Sequence, residues 1–179
     1  MRILSMMGLM VAVTALPSMA RAGAGANIQA CVFLPTAQAK TLTFNFSVGR
    51  TKCMNDKGNN AVLTTSSAGM SCTSAGYVEE KGSSTNGGTC ATQKSHWVLG
   101  YSSTTGSPPV QNGYSGSSDI SMSRGSNTNN ASMSSYSAGT QLCSSNALCS
   151  STSQKWPHGK QGPLYLIFQP GYQPTAKKK

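Results

Sequence analysis

From residue 41 to 48 the chain alternates without a break, with Leu42, Phe44, Phe46 and Val48 on one side and Thr41, Thr43, Asn45 and Ser47 on the other. A period of two predicts a strand with one buried and one wet face. Residues 28–34 form a preceding apolar stretch that stops at Pro35. Residues 95–101 place Trp97, Leu99 and Tyr101 on one side and His96 and Val98 on the other. The run 163–169 is apolar on both faces and is bounded by Gly162-Pro163 and Pro170-Gly171. That pattern predicts a central, fully buried strand. Shorter candidates lie at 61–65, 70–78 and 120–123. Past the N-terminal segment, no window sustains the i, i+3, i+4 stripe of an amphipathic helix, and Gly and Ser interrupt almost every decade.

Residues 102–137 differ in texture: 24 of these 36 residues are Ser, Thr, Gly or Asn. So little apolar surface is expected not to offset the entropy of ordering the backbone, which predicts a long loop with at most one weak hairpin near Ile120 and Met122. Dense turn punctuation, as at Asn59-Asn60, Asn86-Gly87-Gly88 and Asn112-Gly113, separates the other strands. The expected fold is therefore all-β: a disulfide-stapled antiparallel sandwich or barrel with a long Ser/Gly/Asn-rich loop.

The first 22 residues change the picture of where this domain works. Arg2 precedes an apolar run from residue 3 to 16, broken only by Ser5, Gly8 and Thr14, and Pro17 ends it. Small residues then offer a peptidase either Ser18-Met19-Ala20 or Ala20-Arg21-Ala22. This is the pattern of a secretory signal, and the run is too short to span a bilayer. Residues 1–22 are expected to be removed, leaving 23–179 as a single β-rich domain with no transmembrane span. The expected location is periplasmic, cell-surface or extracellular. Removal of Arg2 and Arg21 reduces 14 basic residues to 12 against 4 acidic ones, a net charge of +8. Five of the nine methionines leave with the signal, so the remainder is not a methionine-rich metal carrier.

All six cysteines lie beyond the signal: Cys31, Cys53, Cys72, Cys90, Cys143 and Cys149. An even count in an exported chain predicts three disulfides. Local closure favours Cys72 with Cys90 and Cys143 with Cys149, leaving Cys31 with Cys53. No C-x-x-C occurs and the two histidines stand alone, so no metal site is expected, and nothing calls for a cofactor.

Candidate chemistry is sparse. The acids are Asp56, Glu79, Glu80 and Asp119, and adjacent Glu79 and Glu80 face opposite sides of a strand, so a paired-carboxylate hydrolase is not expected. His96, Asp119 and many serines contain the parts of a hydrolase triad, but there is no G-x-S-x-G elbow and no S-x-x-K. A small nuclease would use His96 and His158 as acid and base, with Lys160 or Lys155 steadying phosphate charge. Tyr114, Tyr136, Trp156 and Tyr172 lie in Gly-, Ser- or Pro-rich surroundings, the vocabulary of adaptable binding loops. Lys177, Lys178 and Lys179 form a basic tail suited to an anionic surface, while the other basic residues are scattered.

These observations lead to an exported binding or assembly module without enzymatic activity, adhesin-like or a surface structural subunit. Its expected partners are itself, another surface protein or a glycan. The competing expectation is a cationic secreted effector, either a membrane-active toxin or the small nuclease.

Overall fold

A computed structural model describes residues 23–82, 90 and 93–172. The expected signal at 1–22 and the tail at Lys177, Lys178 and Lys179 lie outside the described residues. Eleven strands are formed: β1 (Gly25–Leu34), β2 (Leu42–Lys52), β3 (Met54–Lys57), β4 (Ala61–Thr65), β5 (Gly69–Glu80), β6 (His96–Thr105), β7 (Val110–Arg124), β8 (Thr128–Tyr136), β9 (Gln141–Cys143), β10 (Ser153–Pro157) and β11 (Pro163–Phe168). The chain is all-β among the described residues. A five-stranded sheet runs β3-β5-β1-β11-β9 and a six-stranded sheet runs β10-β8-β7-β6-β2-β4. Neighbours are antiparallel except β1 and β11, which pair in parallel from Asn27↔Pro163 to Val32↔Phe168.

The inner faces of both sheets contribute to one core. Ile28, Val32 and Leu34 of β1 join Phe44 and Phe46 of β2, Trp97 and Leu99 of β6, and Leu164, Leu166 and Phe168 of β11. The alternation at 41–48 thus does what period two demands. The buried run at 163–169 becomes β11, paired on both edges. An aromatic group spans the two sheets: the Phe168 ring lies 4.8 Å from Tyr101 of β6 and 6.1 Å from Phe46 of β2. Tyr101 sits opposite Gly116 of β7, where a Cβ would press on its ring. Both tryptophans also reach across. Trp97 of β6 donates its indole N–H to the Lys57 carbonyl of β3 at 2.7 Å. Trp156 of β10 donates to the Gly25 carbonyl of β1 at 3.1 Å.

Residues 102–137 are not a loop. They complete β6, form all of β7 and β8, and turn between the latter two where the Gly125 N–H donates to the Thr128 carbonyl at 2.7 Å. Apolar area was the wrong test for this segment. Its few apolar residues fall on alternate positions, so Ile120, Met122, Ala131 and Met133 are all buried, and Ser103 and Ser118 fit beside them because they are small. The polar remainder faces outward, and β6, an apolar strand, supplies the ladder that β7 extends.

The disulfides are Cys31–Cys72, Cys53–Cys90 and Cys143–Cys149. Only the last agrees with the pairing expected from local closure. Strand register overrides sequence distance: β1 and β5 set Cys31 directly opposite Cys72. Cys90 is then left for Cys53, which lies between β2 and β3. The Cys31–Cys72 bridge is on the outer face of its sheet. Cys31, Cys143 and Ile167 form a second buried cluster there, with Phe33, Met70 and Tyr165 around it.

Trp97 is fully buried and ties β6 to β3, so its removal tests how strongly the sheets depend on each other. Trp97→Ala is expected to cost about 3–5 kcal/mol in urea unfolding of the oxidised protein. A loss under about 1 kcal/mol would show that the cross-sheet contact is dispensable.

Candidate functional site

The six-stranded sheet turns one face to the core and the other outward. Period two along β2 places Thr43, Asn45 and Ser47 on the outer face, and along β6 it places His96, Val98, Gly100 and Ser102 there. Register lines these rows up: Asn45 faces Ser102, Ser47 faces Gly100, Gly100 faces Ser117, and Ser102 faces Ser115. Gly100 has no side chain, so the face dips along its strand. The result is a shallow open depression of about 450 Å³ lined by Asn45, Ser47, Gly100, Ser102, Ser115 and Ser117. Its groups are hydroxyls and a carboxamide, each able to donate and to accept, and none is charged.

At one end of this face His96 and Asp119 meet across β6 and β7. The imidazole Nδ1 is 3.1 Å from one Asp119 carboxylate oxygen and 3.2 Å from the other. Among the described residues no serine hydroxyl hydrogen-bonds to His96, so the pair lacks the nucleophile of a triad. The side chains are 35% and 27% exposed, which makes the contact a partly solvated cross-strand pair.

His158 is elsewhere. It follows β10, with its backbone N–H donating to the Asn127 carbonyl at 3.3 Å, and its ring Nε2 is enclosed by protein. Three strand spacings separate β10 from β6, about 14 Å across the sheet alone. Lys160, two residues beyond His158, is exposed. Acid–base work by two histidines on one phosphate needs both within hydrogen-bond reach of it, which this placement does not provide.

The aromatic candidates divide. Trp156 is a core residue of β10, only 8% exposed, and is not in a binding loop. Its surroundings misled because Pro157 and Gly159 belong to the turn after the strand. Tyr114 is half-buried and packs against the core. Tyr136 and Tyr172 are exposed. Tyr172 lies against Gly139 and Tyr114 against Gly171, so these two gather at the end of the molecule where β8 and β11 finish.

The lining of the depression was overlooked in the sequence, although both rows were visible as the wet sides of alternating strands. The missing knowledge was that β2, β6 and β7 are neighbours. Glu79 and Glu80 do face opposite sides of β5, with Glu80 buried and Glu79 half-buried. Burial pushes the Glu80 carboxyl up from its usual range, against the lowering effect of backbone N–H groups of Ala24 and Arg124 and the Arg124 charge. The Tyr77 phenol is pushed up to about 12 by burial and by the Glu79 carboxylate that accepts its O–H at 2.9 Å.

A double-mutant cycle on His96→Ala and Asp119→Ala should give a coupling below about 1 kcal/mol that shrinks in salt, as for other partly exposed pairs. Coupling of several kcal/mol, insensitive to salt, would mean that the pair is far more enclosed than this geometry.

No known protein family, curated protein or solved structure matches this chain. Three disulfides place the protein in an oxidising environment, and no helix among the described residues is long and apolar enough to cross a membrane.

Proposed function

We propose that the protein is an exported, non-enzymatic binding or assembly module of the cell exterior, adhesin-like or a surface structural subunit. The observation that carries this reading is the uncharged depression along Gly100 on the outer face of the six-stranded sheet. A linear, neutral polysaccharide suits it. Sugar hydroxyls both donate and accept, and the lining of Asn45, Ser47, Ser102, Ser115 and Ser117 answers in kind without demanding charge. The scaffold supports the same reading. The strip lies on three neighbouring strands, β2, β6 and β7, whose ladders hold it in place without help from the ligand.

Filling the depression tests it. A Cβ at Gly100 would lie 3.5 Å from the Gly116 carbonyl oxygen and 3.9 Å from the Ser117 Cβ, ordinary contact distances. Gly100→Gln is therefore expected to fold with stability changed by about 0.5 kcal/mol or less. On immobilised neutral oligosaccharides it should bind at least about tenfold more weakly than the wild type. Equal binding by both proteins, or none by the wild type, would overturn the glycan reading.

The edge strands favour assembly as a second mode. β3 carries Asp56 and Lys57, and β10 carries Lys155 and Pro157, residues that discourage edge pairing. β9 is only three residues long. β4, with the sequence Ala-Val-Leu-Thr-Thr, pairs with β2 on one side and has no such guard, and its Val62 is 60% exposed. Beyond its end at Thr65, which meets Ser71 of β5, it offers an edge to a strand of a second copy. Light scattering on a sizing column is expected to show high-mass species that Val62→Lys converts to monomer. A wild-type monomer would remove the assembly mode.

A further inference from the structure

The start of β1 is enclosed on every side by the end of β5. A side chain at residue 23 would overlap the Glu80 backbone carbonyl, so that position requires glycine, and one at residue 25 would press on the end of the Tyr77 ring and displace it. The Gly23 backbone nitrogen donates to Glu79 Oε1 at 3.2 Å. The next nitrogen, that of Ala24, donates to Glu80 Oε1 at 3.4 Å. Two adjacent carboxylates on opposite faces of β5 thus hold the two adjacent nitrogens that precede β1.

The charge balance of this corner is unusual for the chain. Of only four acidic residues, three gather here, because β3 sets Asp56 opposite Glu79. The other groups facing the corner are Asn55, which donates to Glu79 Oε1 at 3.3 Å, Tyr77, which donates to Glu79 Oε2, and Arg124 of β7, which approaches Glu80. Lys81 follows directly, its N–H bonded to the Cys53 carbonyl. In a strongly basic protein, Glu79 thus accepts from a backbone nitrogen that carries no charge while it is part of a peptide bond. The residue immediately before it, Ala22, ends one of the two small-residue sites at which a signal could be cut.

We propose that the chain is processed between Ala22 and Gly23 and that the amino group so formed is the natural cation of this corner, held by Glu79. In the cut, water adds to the Ala22 carbonyl carbon and the C–N bond breaks. The departing Gly23 nitrogen takes up protons to become an ammonium group, and Ala22 leaves as a carboxylate. A neutral amide donor becomes a charged one, and charge-assisted bonds to carboxylates are roughly twice as strong as neutral ones. Processing therefore tightens the anchorage of β1. The inference rests on the export reading and selects one of the two possible sites. Cutting after Ala20 would leave Gly23 an amide, and Glu79 would accept only a neutral N–H from it.

The effect on pH follows from the sign of the interaction. Holding the ammonium raises its folded pKa above the ordinary amino-terminal value of about 7.7–8.0. Its contribution is then complete below that value and disappears as pH rises through the folded pKa. Tyr77, at about 12, titrates above this window.

The test expresses the full chain in a secreting bacterium and determines the N-terminal sequence and intact mass of the exported product. The amino-group pKa is then measured by NMR in the wild type and in Glu79→Gln. The expected product begins at Gly23, with a pKa raised by at least about half a unit and returned toward the ordinary range by Glu79→Gln. A product beginning at Arg21 overturns the site while leaving export intact. A product beginning at Gly23 with an ordinary pKa overturns the pairing, and the wild-type value decides this even if Glu79→Gln folds poorly. An uncut chain retained inside the cell overturns the export reading, and this inference with it.

Discussion

Strand β1 carries hydrogen-bond ladders on both edges, antiparallel to β5 and parallel to β11, and among the described residues it is the strand whose ladders join the two halves of the five-stranded sheet. Its inner face contributes Ala26, Ile28, Ala30, Val32 and Leu34 to the core, all but fully buried. Its outer face is covalently tied to β5 through Cys31–Cys72. The Gly25 carbonyl receives the Trp156 indole from the other sheet, and Gly23 and Ala24 are gripped by Glu79 and Glu80. Removing this one strand would detach β3 and β5 from β9 and β11. The two glycines and the run of small side chains at its start suit that position, since Tyr77 and Glu80 close down over them.

The six-stranded sheet solves a different problem: making ordered structure from a sequence with little to bury. A backbone ladder satisfies the peptide groups of β7 and β8 whatever their side chains are, provided a neighbour is already in place. β6 is that neighbour, because Trp97, Leu99 and Tyr101 anchor it on the core. β7 and β8 then need only a few apolar residues at inward positions, and they have them. The hydroxyl-rich outer surface is the other half of the same alternation. The neutral face proposed for binding is thus inseparable from how these strands fold.

Charge is distributed by the same economy. Asp119 pairs with His96 across two strands, Glu79 and Glu80 hold the nitrogens of Gly23 and Ala24, and Asp56 lies opposite Glu79. His96 lies on β6, and His158 lies in the turn after β10.

Period-two alternation at 41–48 and 95–101, the doubly apolar run at 163–169 and the even cysteine count sufficed to read an all-β, disulfide-bonded protein from the sequence, because each is a local signal. The last disulfide was legible for the same reason, its partners being six residues apart. The other two pairings were not, since they depend on which strands are neighbours and in what register. Residues 102–137 looked like a loop because their ladder partner, β6, supplies what their own composition lacks. Trp156 looked exposed because neighbouring turn residues say nothing of a carbonyl 131 positions away in the chain. The Gly100 depression and the carboxylate grip on Gly23 exist only once β2, β6 and β7, or β1 and β5, lie side by side. Local pattern determined which residues face together along each strand, and only the tertiary structure decided which strands meet, because pairing and register are set by long-range burial and hydrogen bonding that no short window contains.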